Sequence, residues 1–112
     1  MAALATTKSL ARGTRVKLTD ASITTTGTID FDVPYDGGGD FSALFQVVGT
    51  LASFSADLQV SLDGGTTFNN LASAFLVAAT PFKVQTPLIT GARYRLNFTA
   101  GPTSADVYVV RN

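Results

Sequence analysis

Four aspartates, Asp30, Asp32, Asp36 and Asp40, bracket a run of three glycines. Carboxylates around a flexible loop are the hard oxygen ligands that calcium takes. Their spacing departs from the EF-hand pattern, and Asp30 and Asp32 alternate on what reads as one solvated strand face. Paired aspartates can also do acid–base work on a sugar when they converge across a cleft, but nothing in the spacing brings two of these together. Other catalytic groups are missing: the chain has no His and no Cys, and all eight acids are Asp. That removes the commonest general base, the thiolate nucleophile and the usual near-neutral switch. The expectation is a protein with no enzymatic activity and no cofactor or metal.

Arg93 and Arg95 share a strand face and could meet phosphate. With zero net charge, two arginines are weak grounds for nucleic acid, and pairing with aspartates across the sheet is expected instead. The charge is uneven along the chain. Lys8, Arg12, Arg15 and Lys17 make the start basic, whereas positions 19–82 hold seven aspartates and no Lys or Arg. Such asymmetry suits complementary contacts between copies or with a partner, unless the fold interleaves the segments.

The elements that must position these groups read as strands. Phe54, Ala56, Leu58, Val60 and Leu62 alternate with polar residues, so one face is apolar. Ala92, Tyr94, Leu96 and Phe98 repeat the pattern against Arg93, Arg95, Asn97 and Thr99. Further strands are expected over 14–19, 28–33, 41–50, 82–86 (Phe82 and Val84 inward) and 104–111. Segment 69–79 fits either a helical stripe or a loop followed by a strand. Residues 1–13 read as an arm, disordered alone or ordered on a neighbour. The expected architecture is all-β: a single antiparallel β-sandwich, jelly-roll or Ig-like, of about eight strands over 14–112. No run of 18 apolar residues exists, so no membrane partner is expected. No basic-then-apolar leader opens the chain, so it is expected to be made and used without secretion.

Ser61-Leu62-Asp63-Gly64-Gly65-Thr66-Thr67-Phe68 resembles the Asp-box hairpin of sialidase-type propellers, with Phe68 in the aromatic place. One copy in 112 residues is too little for a propeller. The motif is expected to be a structural staple, its Asp capping turn amides.

That hairpin, combined with GARYRLNFTAGPTSADVYVV at 91–110, resembles the small head decoration (cement) proteins of tailed bacteriophages. The resemblance implies a homo-oligomer, a trimer above all, that binds the major capsid protein on the outside of the virion after synthesis in the host cytoplasm and clamps neighbouring capsomers. No binding residue carries over from it one by one. On physical grounds a clamp needs a rigid body, an arm and apolar strips that become buried on assembly. Leu44, Val48, Tyr108 and Val110 are apolar on otherwise polar faces, and Lys8, Arg12, Arg15 and Lys17 would dock the arm. The alternative is a carbohydrate-binding β-sandwich module of a tail or baseplate, with Tyr35 as the stacking residue.

Overall fold

The computed structural model describes residues 3–35, 41–50 and 53–112. Asp36, Asp40 and the glycines between them lie outside the described residues, as do Leu51 and Ala52 of the connection before the central hairpin. No helix occurs among the described residues. The strands are β1 (Lys8–Ser9), β2 (Arg15–Lys17), β3 (Gly27–Asp32), β4 (Phe41–Thr50), β5 (Ser55–Ser61), β6 (Asn69–Val77), β7 (Phe82–Leu88), β8 (Arg93–Ala100) and β9 (Ser104–Arg111). They form a five-stranded sheet in the order β1-β3-β8-β5-β6 and a four-stranded sheet in the order β2-β9-β4-β7. Every pairing is antiparallel except that of β1 with β3.

Alternation explains why the two sheets face each other. Ala56 and Leu58 of β5, Tyr94, Leu96 and Phe98 of β8, and Ala105, Val107 and Val109 of β9 are all buried. Each of the Leu, Val and Phe side chains among them stabilises the fold by about 1.5–3 kcal/mol when removed from water. Phe45 bridges the layers, with ring centroids 5.7 Å from Phe31 and 5.3 Å from Phe75. Arg111 continues the inward side of β9 and is buried too. Its Nη1 donates to the Leu10 carbonyl at 2.9 Å, and its guanidinium lies 4.1 Å from the Phe41 ring centroid.

Three expectations are corrected. The segment 1–13 does not leave its own body over the described residues 3–13. Leu10 is fully buried and Leu4 packs against the core. The Leu4 and Leu10 amides donate to Thr28 and Asp32 carbonyls. Two leucines and an open sheet edge suffice to hold it there, so it closes the sandwich as a parallel edge strand. Of the two readings open for 69–79, the structure takes the strand, as β6 over Asn69–Val77. Ala74, at φ 49°, interrupts it, and the register with β5 slips beside it. After the Asp63-Gly64-Gly65 turn the sequence reads as a returning strand at Thr66, Thr67 and Phe68, but β6 begins only at Asn69, so these three belong to the connection.

The third correction concerns β7. Phe82 and Val84 point away from the core, at 58% and 56% exposed. Their partners on β4 are Gln46 and Leu44, both outward, whereas Lys83 pairs with buried Phe45. Lys83 lies on the core side at the rim, its ammonium 5.5 Å from the Phe75 ring centroid. At an edge strand a long cation can cover apolar surface with its stem and keep its head in water.

Candidate functional site

The outer face of the four-stranded sheet is built strand by strand. On β9 the inward residues are Ala105, Val107, Val109 and Arg111, which leaves Asp106, Tyr108 and Val110 outward. On β4 the inward set of Phe41, Ala43, Phe45 and Val47 leaves Leu44, Gln46 and Val48 outward. Cross-strand pairing then aligns them. Arg15, Val110, Leu44 and Val84 form one row across the sheet, and Lys17, Tyr108, Gln46 and Phe82 form the next. Val48 pairs with Asp106 beyond them. Adjacent strands lie about 4.8 Å apart, so each row spans roughly 14 Å.

Leu44, Val48 and Val110 are each more than 40% exposed, and Tyr108 is half-buried. A shallow hollow of about 300 Å³ runs between Leu44, Val48, Tyr108 and Val110, with Arg15 at its side. The four apolar residues singled out from sequence therefore meet on one surface, and Arg15 and Lys17 flank it. Arg15 has no acidic partner among the described residues. Lys17 Nζ lies 3.8 Å from Asp106 Oδ1. Lys8 and Arg12 do not join them. Lys8 sits on the other sheet, where its Nζ donates to Asp20 Oδ1 at 2.6 Å. That bond, with the Thr6 N–H and hydroxyl, lowers the Asp20 carboxyl to about 2. Arg12 lies in the turn between β1 and β2 and takes part in no row of the face.

Sequence reasoning missed Phe82 and Val84 on this face. Their alternation with Lys83 and Gln85 is legible, but the sequence carries no mark of which side meets the core. The charge asymmetry and the strips on β4 and β9 were the available signals.

Of the acidic cluster, Asp30 and Asp32 are described, and both are tied to arginines. On the outer face of the five-stranded sheet Arg95 grips Asp30 with Nε at 2.7 Å and Nη2 at 3.1 Å. Arg93 grips Asp32 in the same two-pronged way at 2.8 and 3.2 Å. This bond to Asp32 raises the Arg93 pKa above its ordinary value, against the opposing pull of desolvation. Two carboxylates held by arginines do not gather around a cation. No group of three metal-ligating side chains forms among the described residues.

The hairpin connection is stapled. Asp63 Oδ1 accepts from the Ser61 hydroxyl at 2.7 Å and from the Thr66 and Thr67 amides at 3.1 and 2.8 Å. These bonds, the Thr67 amide first, hold the Asp63 carboxyl down at about 2. Gly64 and Gly65 take φ of 77° and 96°, where L side chains are strained. Phe68 lies under Arg95, 3.7 Å from guanidinium carbon to ring centroid. Tyr35 stands alone at 82% exposure. Its ring crosses Gly91, and a Cβ there would come within 2.5 Å of its atoms.

No family model matches the chain, and no curated protein matches it. Among solved structures it is similar to a family 6 carbohydrate-binding module at 14% identity and a TM-score of 0.49, covering 94% of this chain and 97% of that one. It is also similar to a β-glucosidase from Paenibacillus barengoltzii at 15% identity and a TM-score of 0.34; the match covers 95% of this chain but only 11% of the enzyme.

Proposed function

We propose that this chain is a non-catalytic structural module that docks on a protein shell through the outer face of its four-stranded sheet, as a decoration protein clamping neighbouring capsomers of a tailed-phage head. One observation carries this reading: β7 turns Phe82 and Val84 outward, beside Leu44, Val48, Tyr108 and Val110. A monomer gains nothing from an edge strand whose apolar side faces water, while a docked one buries it. Arg15 and Lys17 at the margin fit a partner surface with an acidic rim. The rigid sandwich and the inward-folded N-terminal segment leave this face, not an arm, to make the contact.

The test is to produce the chain beside the major capsid protein encoded nearest to it and sediment the assembled shells. Saturable occupancy, lost in Leu44→Asp, is expected. No co-sedimentation, or no capsid gene in the neighbourhood, overturns the reading.

Tyr35 favours a second reading, a glycan-binding module. Its ring lies near Gly91 and is 82% exposed, which leaves an aromatic surface for a sugar to stack on. Retention on immobilised glycans, lost in Tyr35→Ala, is its expected signature.

A further inference from the structure

The chain holds two Asp-Gly pairs, Asp36–Gly37 and Asp63–Gly64. Such a pair is prone to rearrange. The glycine nitrogen attacks Cγ of the aspartate, a five-membered succinimide ring closes, and one water leaves. Glycine favours the step because it carries no Cβ to crowd its nitrogen. Hydrolysis then returns one water and opens the ring at either carbonyl. Opening at the α-carbonyl gives isoaspartate, whose main chain runs through Cβ and Cγ and whose free carboxylate sits on Cα.

Asp36–Gly37 lies outside the described residues, whereas Asp63 and Gly64 are exposed on the connection that leaves β5. Exposure alone would leave this second pair open to ring closure. The staple opposes closure in two ways. Asp63 Oδ1 accepts from the Ser61 hydroxyl and from the Thr66 and Thr67 amides, donors on both sides of the turn. Turning Cγ onto the Gly64 nitrogen means giving those bonds up. The Gly65 amide also donates to the Ser61 hydroxyl at 3.0 Å, which ties the far side of Gly64 to the same anchor. The second obstacle is ionisation. Closure expels a carboxyl oxygen as water, so it runs through the protonated acid. The same bonds favour the carboxylate, which titrates at about 2 against an ordinary 3.8. Above about pH 4 the acid form is therefore more than tenfold scarcer than in an unfolded chain.

We infer that Asp63–Gly64 is a modification site gated by its own turn: closed while the staple holds, and converted to isoaspartate when the connection between β5 and β6 opens. The conversion does not reverse when the turn closes again. Isoaspartate adds one carbon to the main chain at position 63 and draws the carboxylate in to Cα. Its reach to the Thr66 and Thr67 amides is lost, so the staple does not re-form. Phe68, seated under Arg95 at the end of the same connection, loses the anchor that sets its approach. Each opening thus leaves a covalent trace, and the staple preserves the chain as well as shaping it. The site shares no residue with the rows of the four-stranded sheet's outer face, so the inference stands apart from what that face binds.

The experiment ages the full chain at about pH 5, where an unfolded aspartate keeps a reactive acid fraction, once folded and once in concentrated urea. Chymotryptic cleavage after Tyr35, Phe41, Leu62 and Phe68 puts the two Asp-Gly pairs on separate peptides. Isoaspartate in each is counted by carboxyl methylation with an isoaspartyl methyltransferase. In urea the two pairs should convert at equal rates, since both are followed by glycine. In the folded chain Asp63 should convert at least tenfold more slowly than in urea. Ser61→Ala, checked for folding by circular dichroism, removes one donor and the tie to Gly65 and should convert at least threefold faster than the wild type. Ser61→Thr keeps the hydroxyl and should stay slow. Folded wild type that converts Asp63 as fast as the unfolded chain, or folded Ser61→Ala that converts at the wild-type rate, overturns the inference. Should Ser61→Ala fail to fold, the wild-type comparison alone decides.

Discussion

The outer faces of the two sheets follow the same alternation rule and end in opposite states. On the five-stranded sheet Asp30 and Asp32 meet Arg95 and Arg93 across the strand pair, Gln59 bonds Asn70 at 2.7 Å, and Phe68 covers Arg95. Each of these polar groups is answered within its own face in a single copy, while Asn97 Oδ1 on the same face stays buried without a partner among the described residues. The four-stranded sheet presents a carpet of Leu44, Val48, Phe82, Val84 and Val110 with Arg15 at its margin. The contrast teaches where to look for function in a chain with so little chemistry: a face that satisfies itself is finished, and a face that leaves apolar area and a charge unanswered expects a partner.

The largest effect should come from breaking the apolar face. Leu44→Asp or Val110→Asp should weaken association at least a hundredfold, because an unpaired carboxylate would have to leave water in the contact. Stability should change by less than about 1 kcal/mol, since both positions are half in water already. Sedimentation together with a denaturant midpoint separates the two quantities. The ionic face should behave in reverse. Asp30→Ala strips Arg95 of its partner at a site where little of either side chain is exposed. It should cost about 1 kcal/mol of stability and leave association unchanged.

The pH response sharpens the comparison further. Asp63 and Asp20 titrate near 2 in the fold against an ordinary 3.8. A depressed folded pKa gives stability that is complete above about pH 4 and is lost as pH falls through about 2. The protection factors of the Thr66 and Thr67 amides, taken against intrinsic exchange at each pH, should therefore fall across that window and stay constant between pH 5 and 8. The smallest effect belongs to the 3.8 Å pair of Lys17 with Asp106. Asp106→Asn should shift stability by less than about 0.5 kcal/mol and vanish into the error at high salt.

Much of this division was legible in the sequence. The all-β class followed from strict alternation in β5 and β8, and pairing of Arg93 and Arg95 with aspartates was expected from their shared face, but which aspartates depended on the β3–β8 adjacency that the sequence does not mark. Leu44, Val48, Tyr108 and Val110 stood out because they are apolar on strands whose other side was already apolar. β7 was read inside out because alternation groups side chains without saying which group meets the core; at an open edge the answer depends on the facing layer. The place of Lys8 and Leu10 was hidden for a related reason. A two-residue parallel strand has no turn or period of its own, and only the edge of β3 recruits it. Leu62 continues the apolar alternation of β5, yet the staple at Ser61 and Asp63 lifts it out of the sheet.

The most direct measurement uses the absence of cysteine from the chain. A single thiol at Leu44→Cys reports on the apolar face, and one at Gln59→Cys reports on the ionic face. Alkylation rates are compared in the free chain and in the chain bound to shells. The account predicts that assembly slows labelling at Leu44→Cys at least tenfold and leaves Gln59→Cys unchanged. Equal rates at the two positions in every state, or protection of Gln59→Cys alone, would contradict it.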